Sequence, residues 1–204
     1  MKTAHWDDHR DPKEQLQQLV RRARQTGILA VHFASVGGHG ALHWRDLEPW
    51  TRSRAVTVAD LGGSISSPAL DVAMCCDLLC VRRTARLKLS DGPSPPAPGV
   101  IWGLGLRGRR ALARGLLELA EIDASECRSL GLADEILADD AELPIPTAAS
   151  VAALTAARDL VRSAASGGPG LALELASFRL LFAAGDPTEG AQAFLAKRDP
   201  VFDE

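Results

Sequence analysis

Three short apolar runs decide what this chain can become. Residues 28–34 (ILAVHFA), 55–59 (AVTVA) and 78–81 (LLCV) read as buried strands, with 87–89 a weaker one. Helical patterns lie around them. Asp11 is a natural N-cap, Pro12 suits a first helical position and Glu14 completes a capping box. Leu16, Leu19, Val20 and Ala23 then recur at helical spacing, and Gly27 sits where a terminating glycine belongs. The run 68–76 (PALDVAMCC) reads as a short buried helix, entered from the turn LGGSISS at 61–67. Further on, 109–120, 124–130, 148–166, 171–184 and 187–197 carry helical patterns, with a short strand at 133–137. Strands and helices alternate first and helices dominate later, which predicts an α/β core followed by a helical C-terminal region. The break at DDAELPIPT places the boundary between residues 1–140 and 141–204.

Composition narrows the function classes. In 204 residues, 46% are hydrophobic and 24% charged, ordinary values for a globular chain able to bury a sizeable core. The formal net charge is −3, so no polycationic surface for nucleic acid is expected. No apolar run approaches the ~18 residues of a membrane span. The start MKTAHWDDHR has no apolar stretch of a secretory signal, so a cytoplasmic location is expected. Cys75, Cys76, Cys80 and Cys127 form no CxxC pair and read as small, buried, reduced thiols, with no metal site. The excess of 19 Arg over 4 Lys reads as genome base composition.

Several motifs carry chemistry only in the right setting. GLGLRG at 103–108 has the letters of a dinucleotide fingerprint, but a proline-rich loop (91–99) precedes it where a strand is required. It therefore reads as a helix entry whose small residues permit close packing. His39 and His43 straddle the turn VGGHGALHW and could donate to a ligand, but no metal-binding spacing occurs. Ser64, Ser66 and Ser67 crowd one turn without forming a nucleophile elbow. The carboxylates are more informative. Asp71 lies inside an apolar run, where a charge needs a partner or a job. Asp91 enters the proline-rich loop, and Asp77 closes the short helix. Each also has a structural reading: pairing with an arginine for Asp71, capping a loop for Asp91, a turn acid for Asp77.

Four segments resemble the crotonase (enoyl-CoA hydratase/isomerase) superfamily. They are SSPALDVAMCCDLLCVRRTARLKLSD, the Pro98-Gly99 pair seven residues past Asp91, LLELAEIDASECRSLGLADEIL at 116–137, and LLFAAGDPTEGAQAFLAKRDPVF at 180–202. Their order and spacing agree with the family over about residues 11–202. The resemblance implies a ββα spiral core, a helical C-terminal trimerisation region and a homotrimer or hexamer. It implies an acyl-CoA or acyl-carrier thioester as substrate and no separate cofactor. Asp71 and Asp91 fall where hydratases hold two glutamates that add water to, or remove it from, an acyl thioester. Backbone amides near Ala41 and Pro68 fall at the oxyanion hole, which holds the thioester oxygen as it becomes an enolate. Lys197 and Arg198 lie in a stretch the family places near the CoA phosphates, and His39 and Trp102 join them as substrate-binding candidates.

The departures are specific. Both acids are aspartates, one methylene shorter than glutamate, and Pro68 has no N–H to donate, so Ser67 or Ala69 must serve if the turn has shifted. The family's N-terminal hairpin is expected to be missing, and the segment from Ala41 to Pro68 is short. These features are similar to small members found in natural-product pathways. Two other readings stand beside the hydratase: a noncatalytic accessory homologue that binds acyl-CoA or a partner synthase, and a single-acid decarboxylase or isomerase.

Overall fold

The computed structural model describes residues 2–7, 9–36, 40–89, 97–107, 121–144, 150–165 and 171–202. The chain divides into two compact units, Met1–Leu143 and Pro144–Glu204. The first is an α/β unit. Its elements are β1 (Lys2–His5), α1 (Pro12–Ala23), β2 (Ile28–Val36), α2 (Trp44–Thr51), β3 (Val56–Ile65), α3 (Ala69–Met74), β4 (Leu78–Arg82), β5 (Arg86–Lys88), α4 (Pro98–Arg107), β6 (Glu121–Asp123), α5 (Ala124–Ser129) and β7 (Glu135–Leu137). The expected helix at 109–120 lies outside the described residues.

Among the described residues seven strands form one sheet, with β1-β2-β3-β4-β7 running parallel in that order. Parallel neighbours need a crossover, which α1, α2 and α3 supply. β3 is longer than its sequence suggests, because the glycines expected to end it lie inside it. Val58–Leu61 pair with β4, whereas Ser64 and Ile65 pair with β5. Gly63 stands between at φ 75°, a backbone turn that a side chain disfavours. β6 then adds to β5 antiparallel.

Helix α1 starts as its sequence predicts. Asp11 accepts hydrogen bonds from the amides of Lys13 (2.9 Å) and Glu14 (3.0 Å). It ends at Ala23 with Arg24 as its C-cap, before Gly27, whose carbonyl accepts from the Val56 amide in the sheet. Leu16, Leu19 and Ala23 of α1 are buried in one core with Leu29, Val31, Phe33, Ala59, Leu61, Leu79 and the apolar residues of α3. Asp77 has the structural job foreseen for it, accepting from the Thr57 amide (2.8 Å) and hydroxyl (2.9 Å). The four cysteines are reduced and buried, and burial pushes Cys76 and Cys127 up to about 12 and Cys80 to about 11.

The other face of the sheet carries charge. His32 and Asp60 are cross-strand partners in a row that continues through Cys80, and Arg82 lies two residues further along β4. Asp60 is 5% exposed. Arg82 reaches it with Nε (2.7 Å) and Nη2 (2.9 Å), and His32 Nδ1 lies 2.9 Å away. Arg82 Nη1 also donates to the carbonyls of Ala138 and Ala141. Burial works to raise the Asp60 pKa, but the bonds from Arg82 and His32 outweigh it and hold the carboxyl below the usual range.

The second unit is helical: α6 (Val151–Ala165), α7 (Leu171–Ala183) and α8 (Asp186–Ala196). Consecutive helices pack on each other, with Gly185 at φ 90° between α7 and α8. Ser150 Oγ hydrogen-bonds Asp186 and accepts from the Ala153 amide, tying the first turn of α6 to the first of α8. Large apolar side chains stay exposed here, including Phe178, Leu180, Phe182, Phe194 and Leu195. No helix among the described residues is long and apolar enough to cross a membrane.

Asp60→Asn should cost about 3 kcal/mol of stability at neutral pH, because Arg82 loses its buried counter-charge. The Asp60 pKa is lower folded than unfolded, so its contribution is full above about pH 4 and fades as pH falls through the folded value. Urea unfolding midpoints of wild type and variant should therefore converge on acidification.

Candidate functional site

The candidate site is built where α2, α3 and α4 meet. α3 is a six-residue helix, every residue of it buried. Asp71 is 1% exposed and does not stand free. Its Oδ1 accepts from the amides of Gly99 (2.7 Å) and Val100 (3.1 Å), in the first turn of α4. The Ser67 hydroxyl donates to the same carboxylate. Orphan amides at a helix start need an acceptor, and here the acceptor comes from a different helix. Burial holds the Asp71 carboxyl above the ordinary range, and the three donors only partly offset it.

This arrangement requires α3 and α4 to touch backbone to backbone. A Cβ on Gly99 would lie 2.4 Å from the Asp71 carbonyl oxygen, and one on Gly103 2.6 Å from that of Met74. The two glycines are four residues apart on one face of α4. Of the GLGLRG letters Gly103 thus serves helix packing, while a Cβ on Gly105 would meet nothing within 4 Å, and residues 98–107 are helix although Pro98 and Gly99 read as the end of a loop. Proline at the first helical position explains the start. Arg107 closes the other end of the contact, donating to the carbonyls of Met74 (3.0 Å) and Cys76 (2.9 Å).

Pro68 is the buried N-cap residue of α3 and offers no donor. The next amide, Ala69, makes no hydrogen bond with any described residue although Ala69 is fully buried. The Leu70 amide is already committed to the Ser66 carbonyl (2.9 Å). Ala41, the other oxyanion candidate, is exposed beside Gly40, whose φ is 109°. Its amide is likewise without a partner among the described residues. Helix α2 follows it directly and is anchored to α3 by Trp50, fully buried, whose Nε1 donates to the Val72 carbonyl (3.2 Å). Trp102 on α4 is 37% exposed and stacks at 5.1 Å on Trp44, the first residue of α2. Trp44 was not among the sequence candidates, because one tryptophan at a helix start carries no signal until its partner is known.

Asp91 and His39 lie outside the described residues. Lys197 and Arg198 belong to the second unit. Lys197 caps α8 in the left-handed conformation (φ 53°) and makes no ion pair with a described residue. Arg198 is committed to Glu189 through two hydrogen bonds (2.6 and 3.0 Å), which hold the Glu189 carboxyl down at about 2. No cluster of three metal-ligating side chains occurs among the described residues.

With this geometry in view, comparison with solved structures decides the architecture. A crystal structure of an enoyl-CoA hydratase/isomerase from Cupriavidus metallidurans superposes with a TM-score of 0.77 at 17% identity, covering 96% of this chain and 86% of that one. A probable enoyl-CoA hydratase/isomerase from Mycobacterium abscessus gives 0.76 at 19% identity, over 98% and 90%. This chain has the crotonase fold. An enoyl-CoA hydratase from Polaromonas gives 0.75 at 20% identity, covering 94% and 89%. No family model matches the sequence, and no curated protein matches it. The ββα crotonase architecture expected from the four motif segments is therefore present, at sequence identities that establish fold alone.

Asp71→Ala should lower stability by about 2–4 kcal/mol, since two buried amides lose their acceptor. Asp71→Asn keeps an acceptor oxygen in place and should cost less than half as much. Chemical denaturation of the two variants side by side measures the difference.

Proposed function

We propose that this protein is an acyl-thioester enzyme of the crotonase type, adding water to or removing it from an acyl-CoA through an enolate. The observation that carries the reading is the fold shared with enoyl-CoA hydratase structures along nearly the whole chain. Two backbone amides without partners among the described residues, at Ala41 and Ala69, precede α2 and open α3. They supply the oxyanion donors, so the turn has shifted by one residue past Pro68. Such donors stabilise the enolate oxygen more than the ground-state carbonyl, which lowers the barrier. Burial raises the Asp71 carboxyl above its ordinary range, which favours it as the acid of the pair, and Asp91 is its partner for the attacking water. The Trp44–Trp102 pair offers an apolar wall for the acyl chain or its carrier arm.

A specific observation favours a second reading. The hydrogen bonds that hold Asp71 to α4 are those of a structural cap, which fits an accessory homologue that binds a thioester or a partner synthase without turning it over. The two readings separate in one assay. Crotonyl-CoA should lose its enoyl absorbance with the wild type, and Asp71→Asn and Asp91→Asn should each slow the loss by about 100-fold or more. A wild type that binds crotonyl-CoA but does not consume it supports the accessory reading. Pro68→Gly should lower activity, because Ala69 already donates and the glycine loosens the turn. A rise in kcat would instead place the missing donor at position 68, where one oxyanion amide is worth ~2.7–4 kcal/mol.

The exposed apolar side chains of α7 and α8 support a homotrimer or a dimer of trimers. Phe178 and Phe182 stack at 4.3 Å, and with Leu180, Phe194 and Leu195 they leave more apolar surface than a monomer ordinarily shows to water. Light scattering at micromolar concentration should give three or six times the protomer mass of 21.6 kDa, and Phe182→Glu should reduce it.

A further inference from the structure

The first unit carries a concave feature between two of its helices. α1 and α2 pack against each other and leave a groove of about 320 Å³ between them. That volume lies at the small end of the range for ligand sites, roughly 300–1,000 Å³. Its apolar lining comes from Leu16, Val20 and Pro49. Its cationic lining comes from Lys13 and Arg21 of α1, Arg24 just past its end, and Arg45 of α2.

The lining holds one acid, Asp46, and it is already engaged. Asp46 accepts from the His43 amide (2.9 Å) and pairs with Lys13 (3.4 Å). The first of these, with Lys13 in support, holds its carboxyl below the usual range, so it stays charged. Once Asp46 and Lys13 cancel, three positive charges remain. Arg21, Arg24 and Arg45 are exposed, and their guanidinium groups make no ion pair or hydrogen bond with any described residue. The nearby Glu48 does not neutralise them, because it pairs with Arg52 (2.9 Å). A solvated helix face ordinarily intersperses both signs, and the chain as a whole is negative, at −3. Three guanidinium groups without a partner among the described residues, around one partly apolar groove, therefore depart from the local and the global charge pattern alike.

We propose that the α1/α2 groove binds a small phosphorylated anion. Guanidinium groups present paired donors that match phosphate oxygens, and their planes also stack on flat rings. Leu16, Val20 and Pro49 give the apolar part of such a ligand a surface to cover. A phosphorylated nucleoside combines both features, either free in solution or as the nucleotide end of a thioester carrier. The inference stands on the groove alone and does not depend on the thioester reading.

Isothermal titration of the full chain with pyrophosphate and with adenosine diphosphate, at low ionic strength, tests it. Both should bind one per chain and weaken steeply as salt is added. The double variant Arg21→Gln/Arg45→Gln should bind about tenfold more weakly or worse, and Arg24→Gln alone should also weaken binding. Arg83→Gln, an exposed cation of β4's exit, should change nothing. Competition by coenzyme A against bound pyrophosphate assigns the phosphate to the carrier, and its absence assigns it to a free ligand. Failure of both probes to bind overturns the proposal, as does equal affinity in the double variant or equal loss in Arg83→Gln. Binding of an acidic peptide in place of either probe overturns it too.

Discussion

The arrangement of the first unit around its candidate site depends on one buried carboxylate. Asp71 leaves water at a cost, and it is tolerated because the first amides of α4 and the Ser67 hydroxyl point at it. The bond works in both directions. It satisfies the orphan amides of one helix and supplies the partners that a charge inside another helix requires. Gly99 and Gly103 are the steric condition for it, since any side chain there would push the helices apart. Arg107 adds a second tie at the far end. α3 and α4 are in consequence one packed body, and α2 joins it through Trp50 and through the Trp44–Trp102 contact.

An acid held as a scaffold in this way is constrained in how far it can move, and an aspartate reaches less far than a glutamate. In this chain the shorter side chain suits the cap, because the helix it caps lies in backbone contact. Any proton it exchanges must leave through the oxygen that α4 does not hold.

What the sequence made legible follows from where the signals are local. α1 was readable because its cap, its first-turn proline and its apolar spacing all lie within a dozen residues. The strands β2 and β4 were readable as apolar runs. β1 was not, because only Ala4 of its four residues is buried. α2 hid behind a histidine N-cap and the internal Pro49. β6 has three residues and exists only through its pairing with β5. The end of β3 was misread for an opposite reason: a Gly-Gly pair signals a turn, yet here it bends a strand without ending it. The site was legible in part. The odd charge in an apolar run marked Asp71, but its true partners are amides 28 and 29 residues away, and backbone groups leave no trace in composition. The groove arginines were discounted as base composition, and only the fold brings them to one place.

The bend in β3 has one more effect. Leu61 pairs with Val81 and Ser64 with Arg86, but Gly62 and Gly63 have no pairing on that side of the strand. The sheet is slit there, between the part of β3 that belongs to β4 and the part that belongs to β5. Arg82 lies alongside, its Cγ 3.5 Å from where a Cβ of Gly62 would be. Its methylenes therefore act as a plug while its guanidinium, a few bonds further on, holds Asp60 and the 138–141 carbonyls. One side chain seals a gap with its stem and fastens the chain's exit from the sheet with its head. A lysine there could keep the seal but not the fastening.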